Sequence, residues 1–168
     1  MKFLLSSFII FFLFIGCGYK PSSYYANDAI EGLVYVDLKV DIDNTQNSVY
    51  VKDLMNELIL NQFDVSLVDD KLKADTYILV ALSSVSHSSI STDSDGYVES
   101  YRATVGIKIT YQKRDEEAKI INVSDYYDYT VDTDATVTDQ KEKSAIKSAA
   151  TKAFNSVFSR IAVNNMKD

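Results

Sequence analysis

Apolar and polar positions alternate along this chain with two different periods, which divide it into strands and helices. From Val34 to Ile42 the alternation is strict. Val34, Val36, Leu38, Val40 and Ile42 point one way, and Tyr35, Asp37, Lys39 and Asp41 the other. A sustained period of two predicts a half-buried strand. Asp43-Asn44-Thr45 interrupts it, and Ser48 is placed to cap a helix running to about Gln62. There Val51, Leu54, Met55, Leu58 and Ile59 recur at the helical period, so that helix has one apolar face.

Thr76 to about Val85 (TYILVALSSV) opens as a continuous apolar run, the signature of a strand central in a sheet or buried on both faces. Ser83 to Ser91 turns Ser-rich, and Asp93-Ser94-Asp95-Gly96 predicts a hairpin turn. The next strand alternates for longest: Tyr101, Ala103, Val105, Ile107, Ile109 and Tyr111 face the core, and Ser100, Arg102, Thr104, Lys108, Thr110 and Gln112 face away. Beyond the charged tip Lys113 to Glu117, Lys119 to Val131 returns as a fourth strand with Ile121, Val123, Tyr127, Tyr129 and Val131 inward. Asp125 breaks that face, which predicts a bulge or an exposed strand end. A last helix spans about Gln140 to Val163, with Asp139 as cap and Glu142 close to a capping box. Its stripe is Ala145, Ile146, Ala149, Ala150, Ala153, Phe154, Val157 and Ile161. The order β-α-β-β-β-α predicts an α+β fold: a two-layer sandwich of a four-stranded mixed sheet with both helices on one face. The other face is polar and rich in Ser, Thr and Tyr.

Ahead of this pattern, Phe3 to Ile15 is an uncharged apolar run after Met1-Lys2. As a helix it would span roughly 20 Å against a hydrocarbon core of about 30 Å, so it has the proportions of a signal-peptide core and not of a membrane span. Gly16-Cys17-Gly18 follows, and a small residue before a Cys at this place resembles the lipobox of bacterial lipoproteins, with Phe14 where Leu is usual. The resemblance implies a signal peptide over residues 1–16 and a Cys17 carrying diacylglycerol and a palmitate-type acyl chain on its amine. Residues 17–30 are then the acylated start and a tether, and 31–165 the folded domain. Two or more acyl chains make a stable anchor where one gives only marginal attachment. Gly18 stands where lipoproteins retained in the inner membrane carry Asp, so the resemblance implies the outer membrane, facing the periplasm.

The 168 residues suit one ordinary domain, and 46% hydrophobic positions suit a packed core. With 17 basic against 24 acidic residues the charge is −7, and −8 once Lys2 leaves with the leader. Nucleic-acid binding needs a cationic surplus and is disfavoured. One Cys and one His exclude a disulfide framework and a thiolate–imidazole metal cluster within the chain, and no cofactor motif is present.

Catalysis finds little support. His87 lies among serines, but no nucleophile-elbow motif surrounds any of them. Asp93 to Gly96 superficially resembles a calcium loop, yet Ser91 stands at its first position and Arg102 where a bidentate Glu is required. The adjacent carboxylates Asp69-Asp70 read as a solvated turn. The tyrosines cluster as Tyr24-Tyr25, Tyr97 with Tyr101, and Tyr126-Tyr127 with Tyr129. Tyr suits interfaces but is also a good strand former.

At Cys17-Gly18-Tyr19-Lys20-Pro21 the chain resembles the mature start of the LPS-assembly lipoproteins, the LptE family. The order of elements agrees over the whole mature length. The resemblance implies a non-enzymatic role as plug and assembly partner of the LPS-assembly β-barrel of the outer membrane, with binding of lipopolysaccharide. For the lipid phosphates Arg102, Lys108, Lys113 and Arg114 are the candidate cations. The alternatives are a lipoprotein activator of peptidoglycan synthesis, disfavoured by a tether of only about a dozen residues, and a periplasmic hydrolase built on His87 or Asp69-Asp70.

Overall fold

A computed structural model describes residues 30–39, 45–63, 65–131 and 138–165. Its elements are β1 (Leu33–Lys39), α1 (Thr45–Gln62), β2 (Ser66–Leu67), a 3-10 turn (Lys71–Lys73), β3 (Thr76–Thr92), β4 (Val98–Lys113), β5 (Lys119–Thr130) and α2 (Asp139–Asn165). One mixed sheet runs in the order β2-β1-β3-β4-β5. β1 is parallel to both of its neighbours, and β3, β4 and β5 follow as antiparallel pairs. Among the described residues the fold is α+β with two helices, as expected, but the sheet has five strands and not four. The additional strand is two residues long, too short to show any alternation. Two backbone bonds flank it, Ser66 N–H to Gly32 O at 3.2 Å and Val68 N–H to Val34 O at 2.9 Å.

One face of the sheet carries the core. Val34 and Val36, Ile78, Val80 and Leu82, Val105, Ile107 and Ile109, and Ile121 and Val123 all bury against the two helices. From α1 come Val51, Leu54, Met55 and Ile59. From α2 come the expected stripe and, in addition, Phe158 and Ala162. The alanines let α2 approach closely, and Phe154, fully buried, fills the space they leave. Phe158 joins the two helices, with its ring edge-to-face on Phe63 at 5.0 Å.

Some expectations shift, and others resolve between their alternatives. The strand β3 runs to Thr92 and not to about Val85, because its Ser-rich half pairs with β4 all the way to Thr92, skipping only Ser83 and Ile90 at the slips. It is central but buried on one face alone; Tyr77, Leu79 and Ala81 are half-buried on the other. The register slips lie in β3–β4, between Leu82 and Ser84 and again around Ser91, whereas β4–β5 pairs without a break past Asp125. What Asp125 marks is the strand end where Tyr126, Tyr127 and Asp128 become exposed. Gly106 sits opposite the first slip, and a Cβ there would lie 2.5 Å from the Ser84 hydroxyl and 2.6 Å from that of Ser83.

The helix starts also move. Thr138 caps α2, its Oγ1 accepting from the Lys141 N–H at 3.3 Å, one residue before the expected Asp139. α1 begins at Thr45, so Ser48 lies buried in its first turn and is not its cap. Val40 and Ile42 fall outside the described residues, as do the leader, Cys17 and the tether up to residue 29.

The start of β1, the loop before β3 and the β4–β5 tip are tied together at one end of the sheet. Gly32 has φ +71°, and a Cβ on it would lie 2.5 Å from Asp75 Oδ2. That oxygen accepts the Leu33 N–H at 2.9 Å, while Asp75 N–H donates to Leu33 O at 2.7 Å and Asp75 O accepts from Arg114 N–H at 2.8 Å. Gly32→Ala should therefore cost about 1–3 kcal/mol from the disfavoured backbone conformation alone, read as a lower urea midpoint with an unchanged slope. Phe154→Ala should cost about 3–5 kcal/mol in the same measurement, the range for emptying a large aromatic site. A loss below about 1 kcal/mol would mean that α2 is not the cover of the core.

Candidate functional site

The uncovered face of the sheet is the surface on which the strands display their polar side chains. Across it run the rows Tyr35–Tyr77–Gln112, Asp37–Leu79–Thr110–Ile120 and Lys39–Ala81–Lys108–Asn122, set by the strand register. Beyond the slip come Ser84–Gly106–Ser124, Ser86–Thr104–Tyr126 and Ser88–Arg102–Asp128. Near the tied end the rings of Tyr35 and Tyr77 stack at 5.9 Å and 13°. Tyr77 OH donates to Asp37 Oδ2 at 3.1 Å, and Lys71 Nζ lies 3.9 Å from the Tyr77 ring centroid. Partial burial, and then the hydrogen bond to Asp37, push the Tyr77 phenol above its usual range.

The four candidate cations are spread along β4 and its tip and do not form one patch. Arg102 and Lys113 are eleven residues apart on one strand, roughly 37 Å at the antiparallel rise. Arg102 is held by Asp128, Nε to Oδ1 at 2.7 Å and Nη2 to Oδ2 at 2.8 Å, and its guanidinium lies 3.8 Å from the Tyr126 ring centroid. The hydrogen bonds from Arg102 hold the Asp128 carboxyl below the ordinary Asp range. Lys113 pairs with Glu31 at 2.9 Å. Arg114 donates to Ala74 O at 2.7 Å and lies 3.3 Å from Asp75 Oδ1. Lys108, exposed in the middle of the open face, has no charged partner among the described residues.

The other singled-out groups are absorbed by local structure. His87 faces α2, with Nε2 3.3 Å from Glu142 Oε1 and Nδ1 3.3 Å from Tyr129 OH, so its ring nitrogens are engaged by a carboxylate and a phenol and not by a serine. Tyr129 stacks on Tyr101 at 5.9 Å. Asp70 Oδ1 accepts the Leu72 N–H at 3.0 Å and so caps the 3-10 turn. Asp93 Oδ1 accepts the N–H groups of Asp95 at 2.9 Å and Tyr97 at 2.8 Å, which is turn chemistry. Among the described residues no cluster of three or more His, Cys, Asp or Glu is arranged to hold a metal ion. No helix among them is long and apolar enough to cross a membrane.

The model of a family described as "LptE: Lipopolysaccharide-assembly" matches residues 35–161, from β1 to the last turns of α2. This chain belongs to the LptE family. Its fold is similar to that of a solved lipoprotein B from Nitrosomonas europaea, with a TM-score of 0.57 at 12% identity over 89% of this chain and 94% of that one. It is also similar to the rare lipoprotein B of Shewanella oneidensis, with a TM-score of 0.50 at 18% identity over 82% of this chain and 100% of that one. A third solved structure, protein XCC0632 from Xanthomonas campestris, gives 0.52 at 7% identity over 83% and 87%. No curated protein matches the sequence.

Within this LptE-family fold, two features of the open face escape a reading of the sequence. Tyr77 lies in an apolar run whose orientation only the parallel pairing with β1 fixes, so its stack on Tyr35 has no local signature. The Arg102–Asp128 pair joins residues 26 positions apart and needs the β4–β5 register. Removing Arg102 tests that pair. In Arg102→Met the Asp128 carboxyl should titrate at higher pH than in the wild type, as followed by carbon NMR. The sign follows from the depressed folded-state pKa: the pair stabilises above the ordinary Asp range and is lost as pH falls through the lowered value. An unmoved titration would dissolve the pair.

Proposed function

We propose that this LptE-family protein is an outer-membrane lipoprotein, acylated at Cys17, that serves as plug and assembly partner of the LPS-assembly β-barrel translocon and assists lipopolysaccharide transport without catalysis. The observation that carries this reading is the family match from β1 to α2. The open face supports it: a sheet with helices on one side only presents serines, threonines, tyrosines and paired charges on the other. A barrel lumen is itself polar, so a face of mostly polar side chains suits it.

Direct lipopolysaccharide contact is part of the proposal, through Arg102, Lys108, Lys113 and Arg114. Lys108 carries most of it, because the other three already spend their charge on Asp128, Glu31 and Asp75. A phosphate meeting Lys108 displaces no charged partner among the described residues, whereas one meeting Arg102 competes with a bidentate carboxylate.

Affinity purification from gently solubilised outer membrane should recover one large β-barrel protein as the main partner. A peptidoglycan synthase recovered in its place would overturn the proposal in favour of the activator reading. Cys17→Ala should move the protein from the membrane fraction to the periplasmic fraction, and undiminished membrane retention would remove the lipid anchor. Lys108→Glu should lower the lipopolysaccharide that copurifies while leaving barrel recovery intact.

A further inference from the structure

Among the described residues the outer edge of β5 is the long edge of the sheet that no further strand pairs, since the opposite edge strand, β2, has only two residues. Successive residues of an antiparallel strand aim their backbone groups to opposite sides, so Ile120, Asn122, Ser124, Tyr126, Asp128 and Thr130 share one side. Three of their carbonyls accept from α2, which makes that side the outward one. Arg160 Nη1 donates to Asn122 O at 2.8 Å, Lys152 Nζ to Tyr126 O at 3.1 Å, and Lys141 Nζ to Thr130 O at 3.4 Å. A fourth outward group is also occupied, because Asp125 Oδ1 accepts the Tyr126 N–H at 2.9 Å.

The spacing shows how one helix serves a whole edge. The three carbonyls lie four residues apart, about 14 Å per step along a strand. The cations on α2 are eight and eleven residues apart, about 12 and 16 Å along a helix. The two ladders match to within a couple of ångströms, which long Lys and Arg stems absorb. An exposed edge is a template for another strand, and cations are among the means by which proteins blunt it. This edge needs blunting. Residues 120–130 (IINVSDYYDYT) are rich in strand formers, and their only charges are Asp125 and Asp128, the latter matched by Arg102.

We infer that Lys141, Lys152 and Arg160 form a guard that keeps the β5 edge from pairing, two-fold and antiparallel, with β5 of a second copy of this chain. The inference does not rest on the lipid anchor or on a barrel partner. It also gives a use to cations of an acidic protein that the open face does not employ.

The test replaces all three guards with Met, which keeps the apolar stems and removes the donors. The mature domain carrying K141M, K152M and R160M should keep its circular dichroism and sediment at twice the monomer mass at micromolar concentration. Adding N122P should return it to the monomer, because Pro removes an outward N–H that the β4 ladder does not use. A monomeric triple variant overturns the inference, and so does a dimer that N122P leaves intact. Where the triple variant loses its fold, the single variants decide: dimer content rising in each supports the guard, and monomers throughout overturn it.

Discussion

Everything in this fold follows from one constraint: the sheet has a single apolar face, and two helices must cover it. The alanine-rich stripe of α2 does most of this, since Ala145, Ala149, Ala150 and Ala153 bring the helix down onto β4 and β5 while Phe154 and Phe158 occupy the gaps between them. Because both helices lie on that side, no described element covers the opposite face. The polar character of that face is therefore a consequence of the packing before it is a statement about function. It becomes one only through the family match over residues 35–161.

The parts of the fold that could be read from sequence are those whose signal is local and repeated. The stripe of α2 and the alternation of β4 each extend over many residues, and every apolar position assigned to the core of α2 is buried. What escaped was set by pairing. β2 exists because two residues find partners on β1. The Ser-rich half of β3 is a strand because β4 is there to complete it, although serine has little preference for strands. The cap of α2 moved by one residue because Thr138 and Asp139 are both good caps, and backbone geometry alone chooses between them.

The candidate site divides in the same way. The sequence places Arg102, Lys108, Lys113 and Arg114 on the outward side of one hairpin or at its tip, and they are there. Whether a cation is free depends on residues far away in the chain, such as Glu31, Asp75 and Asp128, and no spacing rule reports it. The same holds for the α2 cations. On a helical wheel Lys141, Lys152 and Arg160 are ordinary solvated positions, and it is the β4–β5 register that brings the edge carbonyls of β5 within their reach.

The length of the β3–β4 hairpin has a mechanical corollary. Its root, from Thr76 to Leu82 and from Ile107 to Lys113, is clamped by core packing and by the Asp75 knot. Its outer turn, beyond Ser91 and Ser100, has the ladder and a few side-chain bonds but, among the described residues, no helix above it. Local opening free energies fall where apolar cover is thin. The ribbon is thus graded from stiff to compliant along its own axis, a built-in taper that lets the outer turn conform to a surface while the base holds its orientation.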